Sequence, residues 1–279
     1  MLSILIPENK EAARIGDCLT AVLASNVPDT FNKPPEIIVI ANGCHDETAK
    51  IASSYIQQAK DNGWQLKVIN QTVGNKLAAL NTGEAKAGFT TRIYLDADVI
   101  VSRNLINELQ AVLHHDYPVY ASGTVVMPIP KTWVSKAYRR IYSRVPFFTH
   151  GVPGCGLFAV NQLARKRWGK FPDIISDDTF VRLQFIPKER LRVPATYQWP
   201  IVEGFANLIK VRRRQNIGVA QITALYPALM QNDDKPAFSF INILKLMLSD
   251  PIGFCIYATV SLAVRMPGNA NANSWERGR

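Results

Sequence analysis

Thr91-Arg-Ile-Tyr-Leu-Asp96-Ala-Asp98-Val-Ile100 is a short β-type run that ends in two carboxylates one residue apart. Side chains two apart along an extended chain point to the same side, so Asp96 and Asp98 can face one ligand together. Two like charges that close need a cation or a network of donors between them. A plain strand end with an Asp-rich turn would use the same letters, but the run's place in the chain points further. It closes the fourth of a series of strand–helix units, and ligands of open α/β sheets gather at the carboxyl ends of strands.

That series begins with Leu2–Ile6, which reads as a strand, followed by a helical pattern from about Glu11 to Leu23. Glu36–Ala41 is a β-branched run, and Asp46 is a natural cap for a helix reaching Gln58. Leu66–Asn70 makes a third strand and Lys76–Ala87 an Ala-rich helix; Arg92–Leu95 is the fourth strand, and Ser102 caps a helix over Asn104–Leu113. Such alternation predicts an α/β fold with a mostly parallel sheet and helices on both faces. No GxGxxG follows the first strand, so a dinucleotide-binding site has no support. The second half is less regular. It offers a strand at Val119–Val126, a basic helix at Thr132–Tyr142, a loop at Arg144–Gly151 and a tight turn at Gly154-Cys-Gly156 into an apolar strand. A helix opens at Asp177 with acidic residues in its first turn, and Phe205–Leu229 is a long helical pattern bent or interrupted near Gly218. From Phe238 to Val264 the apolar content rises, and a polar tail, Asn269–Arg279, closes the chain.

With 279 residues, 47% hydrophobic and 19% charged, there is material for one large domain, or one domain with an extension. The four cysteines, Cys18, Cys44, Cys155 and Cys255, lie far apart with no metal-ligand spacing, which fits a reducing compartment. Met1–Pro7 lacks a basic start and is too short for a signal peptide, so the protein is expected on the cytoplasmic side. A formal charge of +10, from 32 Lys and Arg against 22 Asp and Glu, asks for an acidic partner. Few aromatics interleave with the clusters Lys131–Arg144, Arg165–Arg167 and Arg212–Arg214 in the pattern of a stacking platform for single strands, and no nucleic-acid module signature appears. Nucleic acid is therefore not expected; a diphosphate substrate or an anionic membrane surface is.

Ile4-Leu-Ile-Pro7-Glu8-Asn9-Lys-Glu11-Ala12, Glu36–Thr48, Lys76-Leu-Ala-Ala-Leu-Asn81, Leu95-Asp96-Ala-Asp98, Gly154-Cys-Gly156 and Ser176-Asp177-Asp178-Thr179 follow one another in that order. In this order the chain resembles the family-2 inverting nucleotide-sugar glycosyltransferases of the GT-A fold, over roughly residues 1–220. The resemblance implies a nucleoside-diphosphate sugar of the UDP or GDP type, Mg²⁺ or Mn²⁺, and inversion at the anomeric carbon. The expected organisation is a GT-A domain at 1–230 and, from the apolar content that follows it, an apolar helical, membrane-associating extension with its tail at 231–279.

Residue by residue, Pro7, Glu8, Asn9 and Glu11 match the family's turn near base and ribose, and Asn42 and Asp46 its second nucleotide-contact segment. Here that segment is Ala41-Asn42-Gly43-Cys44-His45-Asp46, where the family often has Asp-Asp-Gly-Ser-Thr-Asp. Asn42 can still bond a base edge, with the choice between uracil and guanine left open; His45 reads as a turn residue. Lys76 matches a phosphate-binding lysine, with a solvated helix-start lysine as the plain alternative. Asp96 and Asp98 match the DxD pair: Asp98 on the metal, Asp96 on the ribose or the metal's surroundings. Gly154 and Gly156 fit where backbone passes close to a sugar, or a strand-entry turn. Asp177 and Asp178 stand where the family commonly has Glu-Asp, with Asp178 at the position of the base. Arg212, Arg213 and Arg214 offer forked donors suited to a diphosphate. Related processive enzymes carry Gln-x-x-Arg-Trp there, while this chain has Val211 in place of the Gln and Gln215 in place of the Trp. A single-transfer enzyme is expected, with a lipid-linked or saccharide acceptor in envelope or exopolysaccharide synthesis. A sugar-nucleotidyltransferase or a non-catalytic sugar-nucleotide-binding protein is the alternative.

Pro251–Val264 is short of the ~20 residues a spanning helix needs, and Lys245 and Asp250 interrupt the run before it. A core helix pair, a helix lying in the membrane interface and a span remain open; the interface agrees with a lipid-linked acceptor. The expected location is cytoplasmic, peripheral to the inner face of the plasma membrane.

Overall fold

The computed structural model describes residues 1–26 and 33–266; the tail expected at Asn269–Arg279 lies outside them. Strands β1 (Leu2–Glu8) and β2 (Glu36–Asn42) are buried at every position. Runs like these carry no polar face, which is what a parallel strand covered on both sides requires. Helix α1 (Ile15–Leu23) separates them and buries Ile15, Cys18, Leu19, Val22 and Leu23, the i, i+3, i+4, i+7, i+8 stripe of a surface helix. It starts four residues later than the sequence suggests. The Glu11 carbonyl accepts N–H bonds from both Arg14 and Ile15, so residues 11–14 form a turn.

Helices α2 (Thr48–Ser54) and α3 (Ile56–Asp61) replace the single helix expected over 46–58, the ladder tightening at Tyr55, whose N–H bonds Ala52 three residues back. Asp46 precedes α2 and accepts from the Thr48 N–H at 3.3 Å. β3 (Gln65–Gln71) leads into α4 (Lys76–Lys86), capped by Asn75, whose side chain accepts from the Ala78 N–H. β4 (Thr91–Leu95), β5 (Ile100–Val101) and α5 (Leu105–Val112) follow. Ser102 does not cap α5 through its side chain; its hydroxyl accepts from the Thr196 N–H at 3.2 Å.

Beyond it lie β6 (Tyr120–Val126), α6 (Trp133–Tyr142), α7 (Pro146–Thr149) inside the expected loop, β7 (Leu157–Val160), α8 (Gln162–Arg165) and α9 (Asp177–Arg182). Then come β8 (Arg190–Gln198), α10 (Phe205–Leu225), α11 (Phe240–Ser249) and α12 (Pro251–Arg265), with 3₁₀ turns at Pro187–Glu189 and Pro227–Asn232.

The sheet order is β3-β2-β1-β4-β7-β6-β8-β5. β3, β2, β1 and β4 are mutually parallel, but β7 runs antiparallel to both β4 and β6, β6 and β8 are parallel, and β5 is antiparallel to β8. The sheet is thus mixed rather than mostly parallel. β8 has no counterpart in the sequence reading because Arg190, Arg192 and Pro194 obscure its pattern. Its register against β6 shifts between Ser122 and Thr124, and the shift gives the donor-less proline a place.

The chain divides into two compact units. The first comprises Met1–Val126, Gly154–Asp173 and Gln184–Trp199; the second Met127–Pro153, Ile174–Leu183 and 200–279. The first holds the whole sheet, with a core that includes Ile4, Ile6, Val39, Ile93, Leu157 and Tyr197. Burying each such side chain stabilises by about 1.5–3 kcal/mol. Because β1, β2 and β4 are parallel, the turns that follow them emerge on one edge of the sheet together with the start of α4. In the second unit α12 packs on α6 and α10. A Cβ at Gly253 would stand 2.9 Å from the Ala137 carbonyl, which shows how closely α12 lies on α6. Among the described residues no helix is long and apolar enough to cross a membrane.

Candidate active site

Strand β4 ends at Leu95, so Asp96 and Asp98 lie in the turn beyond it rather than on the strand itself. Two backbone bonds shape that turn: Asp96 N–H to the Gly156 carbonyl at 2.8 Å and Val99 N–H to the Asp96 carbonyl at 3.1 Å. Each carboxylate meets a cation. Lys76 Nζ, at the first residue of α4, is 3.1 Å from Asp96 Oδ1, and Arg14 Nη1, just before α1, is 3.8 Å from Asp98 Oδ2. Side-chain exposures of 36% for Asp96 and 16% for Asp98 leave both reachable. Behind them the Cys18 thiol is pushed far up by burial, with the charges of Asp98, Asp96 and Asp17 adding to the effect, so it stays protonated. Sequence reasoning missed Arg14, which has no local signal: only the fold brings it to Asp98.

Among the described residues no three His, Cys, Asp or Glu side chains cluster as metal ligands. Two adjacent carboxylates do not make a zinc site. They do fit Mg²⁺ or Mn²⁺, hard ions that take one or two carboxylates and complete their oxygen coordination with water and substrate phosphates.

The neighbouring turns form a connected frame. Asn9 Nδ2 donates to the carbonyls of Asn42 and Gly43, and the Asn42 side-chain oxygen accepts from the Asn75 N–H. The Asn42 network thereby holds the residue that caps α4 and precedes Lys76. Pro7, Glu8, Glu11 and Asn42 are buried, and Cys44 Sγ lies 3.5 Å from Glu8 Oε1. Glu11 donates its N–H to Thr48 Oγ1 at 3.1 Å. Asp46 is exposed. Burial raises its pKa, but bonds from the Thr48 hydroxyl and N–H, with further backbone bonds, together outweigh that and hold the carboxyl below the usual range.

Gly156 has φ +72, and a Cβ there would stand 2.5 Å from Trp199 Cδ1 and 2.9 Å from Val99 Cγ2. Only glycine meets both conditions, and its carbonyl is the one that holds the Asp96 amide. A Cβ on Gly154 would run into the Tyr120 hydroxyl.

In the second unit, Asp177 and Asp178 open α9; Asp177 is buried and Asp178 half-buried, accepting from the Thr179 N–H at 2.6 Å. The start of α9 is pinned to α10: Ile175 N–H donates to Gln221 Oε1 at 2.9 Å, and a Cβ on Gly218 would collide with Ser176. Helix α10 runs unbroken from Phe205 to Leu225. Gly218 therefore marks a close approach to Ser176 and does not interrupt the helix. Arg212 lies over the Tyr142 ring at 5.1 Å. Arg213 donates to the carbonyls of Ala263 at 2.8 Å and Met266 at 3.1 Å, at the end of α12. Arg214 is half-buried on the same helix. The structure thus joins Asp96, Asp98, Lys76, Gly156 and the Asn9–Asn42 frame in one unit. Asp177, Asp178 and the three arginines belong to the other.

The sequence model of glycosyl transferase family 2 matches residues 3–167, and the chain belongs to that family. It is a glycosyltransferase. No curated protein matches it by sequence. Among solved structures it is similar to the mannosyltransferase PcManGT of Pyrobaculum calidifontis, solved with GDP-Man and Mn²⁺, at 20% identity and a TM-score of 0.61, over 97% of this chain and 76% of that one. TarS 1-349 of S. aureus with UDP-GlcNAc is 17% identical at a TM-score of 0.53, over 94% of this chain and 81% of that one. The glucosyl-3-phosphoglycerate synthase of Mycobacterium tuberculosis was solved with Mn²⁺, UDP and glucosyl-3-phosphoglycerate. It is 15% identical at a TM-score of 0.52, over 80% of this chain and 79% of that one. At these identities the likeness establishes the fold.

Proposed function

We propose that this glycosyltransferase moves one sugar, with inversion, from a UDP- or GDP-sugar to a lipid-linked or polysaccharide-precursor acceptor at the inner face of the plasma membrane, in envelope or exopolysaccharide synthesis. Residues 1–230 form its transferase domain and 231–279 a membrane-associating extension. The observation that carries the reading is the half-buried but reachable Asp96–Asp98 pair just beyond the carboxyl end of β4, with Lys76 at the N-terminus of α4 against it. A helix N-terminus favours anionic oxygens, and a lysine beside it adds a movable point charge.

In this reading Lys76 exchanges Asp96 for a donor phosphate oxygen when the nucleotide binds. Asp98, with Asp96, holds Mg²⁺ or Mn²⁺, and the ion supplies Lewis-acid neutralisation of diphosphate charge. Asn9, Asp46 and the buried Glu8, Glu11 and Asn42 frame the base and ribose, and Gly156 sets the position of Asp96. Asp178 takes the proton of the acceptor hydroxyl as its oxygen attacks the anomeric carbon. The bond to the diphosphate breaks on the opposite face, and its electron pair leaves with the nucleotide. Arg212 and Arg214 contribute positive charge from α10. PcManGT with GDP-Man and TarS with UDP-GlcNAc support a nucleotide-sugar donor of either base, and the Mn²⁺ with PcManGT supports the metal.

A thermal-shift panel of UDP, GDP and their sugars, with and without Mn²⁺, followed by transfer assays with polyprenyl phosphate and saccharide acceptors, tests the reading. A ligand at a hundredfold excess over its Kd should add about 2.7 kcal/mol of stability. Failure of every nucleotide to bind overturns the donor assignment. Binding without any turnover favours a sugar-nucleotide-binding protein instead.

A further inference from the structure

Among the described residues α11 is the α-helix with no buried residue, although its sequence is Phe240-Ile-Asn-Ile-Leu-Lys-Leu-Met-Leu-Ser249. Phe240 is 77% exposed, Ile241 64% and Leu248 73%, with Leu244 and Met247 exposed as well. At 100° per residue these five side chains fall within an arc of about 120°, a single apolar stripe. Ile252, at the first turn of α12, is exposed as well. The stripe is not a missing piece of core: α11 rests on α12, and α12 in turn is seated on α6 and α10. That seating is firm, with Arg213 bonded to the last carbonyls of α12 and Arg140 holding Asp250, between α11 and α12, through two bonds of 2.6 and 3.0 Å.

We propose that α11 is the element that enters an anionic lipid surface, with α12 as its rigid mount, an inference that rests on the membrane-surface reading above. The apolar run Pro251–Val264 draws attention in the sequence, yet the structure spends much of that helix on packing and leaves α11 uncovered. Charge selects the occupant. Lys245 borders the stripe and is exposed, and exposed Arg144 reaches the end of α11, donating to Ser249 Oγ at 3.3 Å. Lys136, exposed on α6 one turn before Arg140, adds to the basic margin. A second copy docking stripe to stripe about a two-fold axis would set these cations against their own mates. Acidic headgroups complement them, and apolar side chains beneath a basic border are the pattern of a helix lying in the interface plane.

The test is flotation of the full chain with vesicles of phosphatidylcholine alone and of phosphatidylcholine containing phosphatidylglycerol. Wild type should bind the acidic vesicles more tightly, and salt should weaken the difference. Phe240→Ser, Ile241→Ser and Leu248→Ser combined should lower the partition coefficient more than about a hundredfold, since each buried apolar side chain is worth roughly tenfold. Melting temperature and circular dichroism should not change, because all three side chains are exposed. Leu262→Ser, an exposed site on α12, should leave binding near wild type. Binding that survives the triple substitution overturns the role of α11 while the membrane reading stands. Absence of wild-type binding to either vesicle overturns both. Equal binding to neutral and acidic vesicles overturns the assignment of the basic border. A wild-type dimer that the triple variant abolishes gives the stripe to a second copy.

Discussion

Gly156→Ala combines two costs that the structure separates. A φ of +72 places an L-residue in the left-handed region, at about 1–2 kcal/mol. The new Cβ would meet Trp199 at 2.5 Å and Val99 at 2.9 Å, and forcing atoms into such packing costs about 1–3 kcal/mol. Any Gly→Ala change returns about 0.4–1 kcal/mol through the unfolded chain, so the net cost of about 1–5 kcal/mol lowers Tm by roughly 3–20 °C in a chain of this size. Gly63→Ala isolates the first cost, since Gly63 has φ +75 but nothing within 4 Å of its Cβ position. Reduced entropy of the unfolded chain returns about 0.4–1 kcal/mol, so its Tm should fall by only a few degrees. Thermal unfolding of both variants, followed by nucleoside diphosphate titration, is the assay. Because the Gly156 carbonyl holds the Asp96 amide, its variant should also lose nucleotide affinity, and Gly63→Ala should not. A Gly156→Ala protein that melts no lower than Gly63→Ala refutes the packing argument.

Asp98→Ala should weaken nucleoside diphosphate binding only when Mn²⁺ or Mg²⁺ is present; calorimetric titration with and without chelator checks it, and equal loss in both would make Asp98 structural. Asp178→Asn should cut transfer by ~10²–10⁴, the usual worth of a general base, with donor affinity almost unchanged. Asp177→Asn should cost less, and the reverse ranking in a transfer assay would exchange the two roles. Burial raises the pKa of the Glu36 carboxyl, but bonds from Ser3, Lys67 and Gly88 outweigh it and hold the group below its usual range. A depressed carboxylate contributes stability above its unfolded pKa and loses it as pH falls through the folded one. Glu36→Gln should therefore lower the unfolding free energy from urea titration at pH near 7 by about 1–3 kcal/mol, and the gap to wild type should close only as pH falls well below the ordinary Glu value, through the depressed folded one.

Much of the first half could be read locally. Fully buried β1 and β2, the amphipathic stripe of α1, the Asn75–Lys76 start of α4 and the acidic pair after β4 leave signals within ten residues of themselves. Periodicity and caps carry such information because they depend only on near neighbours. The order of the motifs, together with those signals, led to the family that the comparison of residues 3–167 establishes. Tertiary structure decided what depends on distant pairing. Arg14 meets Asp98, Gly156 holds Asp96, and Gly218 receives Ser176, all through contacts between segments that no local pattern links. The antiparallel entry of β7 and the shifted register that admits Pro194 into β8 arise the same way. The apolar C-terminal segment shows the limit most plainly. α11 and α12 have similar compositions, yet α12 packs on two other helices while α11, resting mainly on α12, buries no residue, because burial is set by the shape of what lies opposite and not by the residue's own hydrophobicity.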